Sequence, residues 1–275
     1  MAAISDRAED VIGFTRLYAR YESLRLELQT SKPFPHVIVD EFFEETFARR
    51  LLQVLPRAAC LRDALVSPME TRFADDRIDQ HGALIGEAFA ALRGPRFVAW
   101  LQALFDVPDL HTLADLDGGG LHVSRSGNFS EVHADRNYHR ASGTYRRVNA
   151  LVYMNEYWDA SWGGDLELWP RDLSHCVTRI APLFNRAVFF AVNDTAFHGF
   201  APLRLPADVE RRSLATYYYS ALAGVGQSRH GHETIFPARH DQQARKRLLL
   251  RMRSAYVDIV PASLRAAIRR LRRVS

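Results

Sequence analysis

Two histidines and an aspartate fall within one short stretch, Ser130-Glu-Val-His-Ala-Asp-Arg-Asn-Tyr-His139. On a strand, residues two apart share a face, so His133 and Asp135 would point the same way across the small Ala134. Both could then reach one cation. His198, in the run Asp194-Thr-Ala-Phe-His-Gly-Phe200, follows a strongly apolar segment and is the expected third ligand. Two imidazoles and one carboxylate on a triangular face leave the opposite positions open. That arrangement suits a ferrous ion that must also bind oxygen and a cosubstrate. A structural zinc would want four closed ligands, usually with thiolates. The two cysteines, Cys60 and Cys176, lie far apart in the chain and read as buried free thiols. A His-x-Asp pair alone is weak evidence: 11 His and 19 Asp in 275 residues give about one by chance. Its weight comes from the elements that must position it.

Residues 8–30 have helical apolar spacing, 35–40 read as a short strand, and 44–55 as a helix stopped by Pro56. Further helices are expected over 82–92 and 96–104. Asp117-Gly-Gly-Gly120 then breaks the chain, and short alternating runs follow to Ser220: LHVSR, FSEVHAD, RVNALVYM, DLELW, HCVTRIA, RAVFFAV and RSLATYYYS. Turn signals separate them at the spacing of a barrel or jelly roll. The expected fold is mainly β with flanking helices. N-terminal helices and an opening strand (1–116) would support a β core (117–224), with a helical, basic extension (225–275) in the same structural domain. The last core run begins Glu210-Arg-Arg-Ser213, an arginine fork and a hydroxyl suited to two-point binding of a carboxylate.

Four segments, DGGGLHVSRSGNFSEVHADRNYH, RRVNALVYMNEYWDASWGGDLELW, RIAPLFNRAVFFAVNDTAFHGF and RRSLATYYYS, together cover roughly residues 117–220. In that order they resemble the 2-oxoglutarate- and iron(II)-dependent oxygenases of the prolyl 4-hydroxylase-like group. PFPHVIVDEFF is similar to that group's opening strand. The resemblance implies a double-stranded β-helix, with His133, Asp135 and His198 holding Fe(II). It implies that Arg211, helped by Ser213, pairs with the far carboxylate of 2-oxoglutarate, and that Tyr153 lies against the same group. Alternation by itself does not choose between Arg211 and Arg212. The Arg211/Ser213 face offers two polar groups, whereas Arg212 would share its face with Leu214, so Arg211 is the better choice. Asn149 shares the face of Tyr153 and is a further candidate contact to the cosubstrate. Halogenating relatives carry a small residue in place of Asp135, so oxygen insertion is the implied outcome. Substrate, 2-oxoglutarate and O2 would give oxidised substrate, succinate and CO2, with ascorbate an optional reductant. An unactivated C–H of an amino acid, a peptidyl residue such as proline, or a small metabolite is the implied target.

An apolar fraction of 47% with 25% charged residues places the chain among ordinary globular proteins. The charged N-terminus lacks the apolar centre of a signal peptide, so a cytoplasmic location is expected. Residues 245–275 hold ten Arg/Lys against Asp258 alone, so the remainder of the chain is mildly acidic. Their amphipathic spacing suits docking on the body, or contact with an acidic surface, an anionic membrane or nucleic acid. The rival from another class is a non-catalytic β-helix binding a metal or ligand and acting through this tail. A complete ligand set together with Arg211 argues against it. His139 reads as a loop residue, and His122 and His175 as packing or surface residues on strands.

Overall fold

The computed structural model describes residues 10–224, 226–228 and 231–238. The basic segment 245–275, with the partner expected for it, lies outside the described residues. The long first helix is two: α1 (Phe14–Ala19) and α2 (Tyr21–Thr30), divided where Arg20 leaves helical geometry. The break lets Phe14 and Leu17 on one side, and Leu24 and Leu28 on the other, enter one core. Arg16 fixes α1 by donating to the backbone carbonyls of Glu41 and Phe43. Helix α3 (Glu45–Val54) buries Phe47, Ala48 and Leu51 and stops ahead of Pro56. Helices α4 (Ala83–Arg93) and α5 (Pro95–Phe105) are split at Gly94, with Pro95 preset for a first turn.

In chain order the strands are β1 (His36–Val39), β2 (Asp63–Val66), β3 (Glu70–Asp75), β4 (Gly120–Ser124), β5 (Phe129–His133) and β6 (Tyr138–His139). They continue with β7 (Thr144–Tyr153), β8 (Leu166–Trp169), β9 (Thr178–Ile180), β10 (Arg186–Ala191), β11 (Phe197–Phe200) and β12 (Arg211–Ser220). One antiparallel layer runs β1-β10-β7-β12-β4 and the other β5-β11-β8-β9. Strand β3 ties them together, pairing Phe73–Asp75 with β4 and Glu70–Thr71 with β5. The result is a double-stranded β-helix.

Alternation sorts each strand of the first layer. On β7, Val148, Ala150 and Val152 face the helices, whereas Leu151 and Tyr153 belong to the barrel interior. Phe189 on β10 packs its ring 5.6 Å from those of both Phe42 and Phe97, joining helix, loop and sheet in one core. Each fully buried phenylalanine contributes about 1.5–3 kcal/mol. The rigid wall so made carries the interior-facing residues on its other side.

Three elements depart from the expectation. The hairpin β2–β3 arises where no strand is predicted. His139, expected in a loop, instead ends strand β6 of the β6–β7 hairpin. Neither cysteine is buried: Cys60 is exposed and Cys176 half-buried, both as free thiols. The short helical turn at Ala58–Cys60 buries only Ala58, which leaves the thiol on the outer side.

Asp75 anchors β3. Its buried carboxylate accepts from the backbone N–H groups of Arg62 and Arg77 and from the Arg77 guanidinium. Strand β4 can approach because Gly120 sits there: a Cβ would collide with the Asp75 carbonyl, and its φ of 95° suits glycine. Burial alone would raise the Asp75 carboxyl, but the bonds from Arg77 outweigh it and hold it well below the ordinary carboxylate range. The folded value is depressed, so this contribution is complete above about pH 4 and fades as acid protonates the folded group. Asp75→Asn is expected to destabilise the fold by about 1–3 kcal/mol at neutral pH. Urea unfolding at pH 7 and pH 3 checks this, the difference from wild type shrinking at the lower pH.

Candidate metal centre

His133 ends β5 and lies directly across from His198 on β11, their rings 4.4 Å apart. Asp135 follows two residues beyond His133, past the bridge that Ala134 makes with Ile235. One ligand atom from each of His133, Asp135 and His198 fits within a mutual 4.8 Å. The two Asp135 oxygens face the two imidazoles, Oδ1 being 3.4 Å from His133 Nε2 and Oδ2 3.7 Å from His198 Nε2.

The protons on the rings are set by their other nitrogens. His133 Nδ1 is 2.7 Å from the Glu131 carbonyl, and His198 Nδ1 is 3.0 Å from that of Ala196. A carbonyl can only accept, so each Nδ1 donates and each neutral ring turns the Nε2 lone pair toward Asp135. Burial lowers His198 to about 4, against the attraction of Asp135. Burial opposes charge on His133 too, but the hydrogen bond and charge of Asp135 raise it overall. The Asp135 carboxyl, although buried, is held far below its usual range by the two histidines. Asn149 Nδ2 donates to Asp135 Oδ2 at 2.9 Å, while its Oδ1 is buried with no partner. Two aligned lone pairs, an ionised carboxylate and an orphaned acceptor suited to a metal-bound water fit a divalent ion.

The same cavity, about 610 Å³ out to its mouth, contains Arg211, Ser213 and Tyr153. Register places Ser213 beside both Tyr153 on β7 and His122 on β4. Arg211 is buried, donating from Nε to the Gly164 carbonyl at 2.8 Å and from Nη2 to the Tyr153 hydroxyl at 3.2 Å. Both partners are neutral, and the guanidinium lies over the rings of Tyr153 and Phe200. Arg212 points the other way and pairs with Glu210. A buried guanidinium with only neutral acceptors is a site for an incoming anion.

His133, Asp135, His198, Asn149, Tyr153, Arg211 and Ser213 therefore meet in one cavity. His139 does not join them; its Nδ1 is 2.8 Å from Ser142 Oγ, and its Nε2 faces Asp115. His175 lies at an exposed turn beside Ser174. Four further ionisable lining residues were not assigned to the site from the sequence: Glu70, Arg72, His122 and Tyr217. Only Tyr217 had a signal there, since alternation along β12 puts it on the face of Ser213; His122 comes opposite Ser213 through the register of β4 with β12. Burial, reinforced by the charge of Arg72, keeps His122 well below its ordinary value and therefore neutral.

Residues 119–219 match the family profile described as the 2OG-Fe(II) oxygenase superfamily. Over that segment the chain is similar to the 2-oxoglutarate-dependent oxygenases, a family that uses Fe(II), 2-oxoglutarate and O2. Solved structures share its fold. A Pseudomonas putida prolyl-4-hydroxylase is 18% identical over 73% of this chain and 99% of its own, with a TM-score of 0.52. An oxidoreductase of the 2OG-Fe(II) oxygenase family from Burkholderia pseudomallei is 15% identical over 75% of this chain and 93% of its own, with a TM-score of 0.50. No curated protein matches the sequence. Among the described residues no helix is long and apolar enough to cross a membrane.

Proposed function

We propose that the chain is a hydroxylase, inserting oxygen into an unactivated C–H bond of an amino acid, a peptidyl residue or a small metabolite. His133, Asp135 and His198 are the iron ligands. Arg211, with Tyr153 and Ser213, holds the far carboxylate of 2-oxoglutarate. When bound, iron and 2-oxoglutarate supply the oxidising chemistry, with succinate and CO2 as coproducts. The protein's part is orientation: the two Nδ1–H···O=C bonds fix both imidazoles, and Asn149 fixes the carboxylate between them. Asn149 thus acts on the metal through Asp135, a positioning role in place of the direct cosubstrate contact expected from the sequence. Apolar neighbours such as Leu151, Leu166 and Phe200 exclude water from the space between the two ends.

The observation that carries this reading is the joint presence, in one cavity, of the triad and a buried arginine paired only with neutral groups. Asn149 and Tyr153 mark the two ends on β7, about 13 Å apart along the strand. Two free thiols, one exposed, suit a reducing compartment, and we place the protein in the cytoplasm on that ground.

The deciding experiment is an anaerobic titration of Fe(II) and 2-oxoglutarate, read by the visible charge-transfer band of the chelate. A saturable band supports the reading; bound iron that gives no band with 2-oxoglutarate overturns it. Asn149→Ala is expected to lower iron affinity roughly 10- to 100-fold while the band keeps its shape at saturating iron. A competition titration against a chelator checks this.

A further inference from the structure

Strand β3 lies outside the segment that matches the oxygenase family, yet it inserts two opposite charges into the cavity. Glu70 and Arg72 are two residues apart and share a strand face. Register sets Glu70 against Ser130 on β5, and its charge reaches His133. Arg72 reaches the β4 side, with Nη1 2.8 Å from both ring nitrogens of neutral His122. Glu70 Oε2 is 3.3 Å from Arg72 Nε, but that buried N–H is out of line and makes no hydrogen bond. The pair is a loose contact that leaves the Arg72 Nε–H without a hydrogen bond, beside the metal ligands.

The charges of the whole site say what would use them. Iron(II), Asp135 and doubly ionised 2-oxoglutarate leave one negative charge, which Arg211 cancels. Deeper in the wall, Arg146 is held by Asp117. Glu70 and Arg72 cancel each other. A net anion or cation entering this low-dielectric space would be uncompensated, whereas a molecule carrying both charges would meet a partner for each.

We propose that Glu70 and Arg72 read the ammonium and carboxylate of a free α-amino acid, which makes the substrate a zwitterion and not a residue within a peptide. The inference rests on the hydroxylase reading above and narrows it. Arg72 donates to the carboxylate on the His122 and Tyr217 side, and Glu70 accepts from the ammonium on the His133 side. The amino-acid side chain is then left to extend toward the metal. A peptidyl residue offers neither charge.

The test uses the full chain loaded anaerobically with Fe(II) and 2-oxoglutarate. Each proteinogenic L-amino acid is added in turn, and the charge-transfer band is followed before succinate release is measured in air. At least one free amino acid is expected to perturb the band saturably and to release succinate. Amidating or N-acetylating that amino acid should each weaken its binding about 10- to 100-fold. Arg72→Gln should abolish the penalty for amidation, and Glu70→Gln the penalty for acetylation. Both variants should keep the wild-type affinity for 2-oxoglutarate, which also reports an intact fold. The proposal is overturned if the band forms but no free amino acid perturbs it. It is equally overturned if the doubly blocked derivative binds as well as the free one, or if either variant weakens 2-oxoglutarate instead. Failure of the band itself removes the hydroxylase reading first, and this proposal with it.

Discussion

Replacing His198 with Ala is expected to eliminate the charge-transfer band and turnover together, at iron and 2-oxoglutarate concentrations that saturate the wild type. His198 offers the better-prepared of the two imidazoles: it is buried, neutral down to about pH 4, and held by its Nδ1–H bond to Ala196. Removing it takes away a ligand, so the loss of iron affinity should exceed the roughly 10- to 100-fold produced by changing a residue behind a ligand. The fold should survive. The losses are the ring contacts with Phe190 and His133 and one neutral hydrogen bond, which together are small beside the core of the β-helix. Thermal unfolding of the metal-free variant separates the two effects. His139→Ala is the matched control, since His139 is bonded to Ser142 and lies away from the triad. Wild-type iron affinity in His198→Ala, or its loss in His139→Ala, would move the centre elsewhere.

The parts of this site that could be read from the sequence are those that depend on alternation along one strand. Asn149 and Tyr153, or Arg211 and Ser213, share a face wherever β7 and β12 are paired. Their common cavity follows once both strands belong to one layer. Asp135 is a partial exception: the strand ends at His133, and the aspartate reaches the same space from just beyond it. His198 had no alternating run of its own, because β11 is only four residues long and fully apolar apart from the histidine. The β2–β3 hairpin was hidden for a different reason. Asp63–Val66 alternates between half-buried and exposed, and Pro68 follows soon after, so the segment reads as a loop. Its place is fixed by partners distant in sequence: Asp75 with the backbone N–H of Arg62, and Arg72 with His122 fifty positions away. No local pattern encodes those contacts. The break at Arg20 was equally invisible, being imposed by where α1 and α2 must enter the core.

Arg211→Ala is expected to weaken 2-oxoglutarate roughly 10²- to 10³-fold while leaving Fe(II) binding almost unchanged. The magnitude follows from truncating one partner of a buried, hydrogen-bonded charge pair, which costs about 2–5 kcal/mol. Arg211 is already held for this task. Gly164 and Tyr153 fix the guanidinium plane, and two aromatic rings confine it, so little order is lost when an anion arrives. Arg211→Lys should recover only part of the loss, because an ammonium lacks the planar fork and would leave the Gly164 carbonyl or the Tyr153 hydroxyl unserved. Arg212→Ala should change the affinity little, since that side chain pairs with Glu210 on the opposite face. The titration distinguishes Arg211, Arg212 and Arg72: a loss confined to Arg211 fixes the cosubstrate carboxylate there. A loss appearing in Arg72→Gln instead would mean that 2-oxoglutarate lies along the β3 side of the cavity, with the substrate taking the Arg211 end.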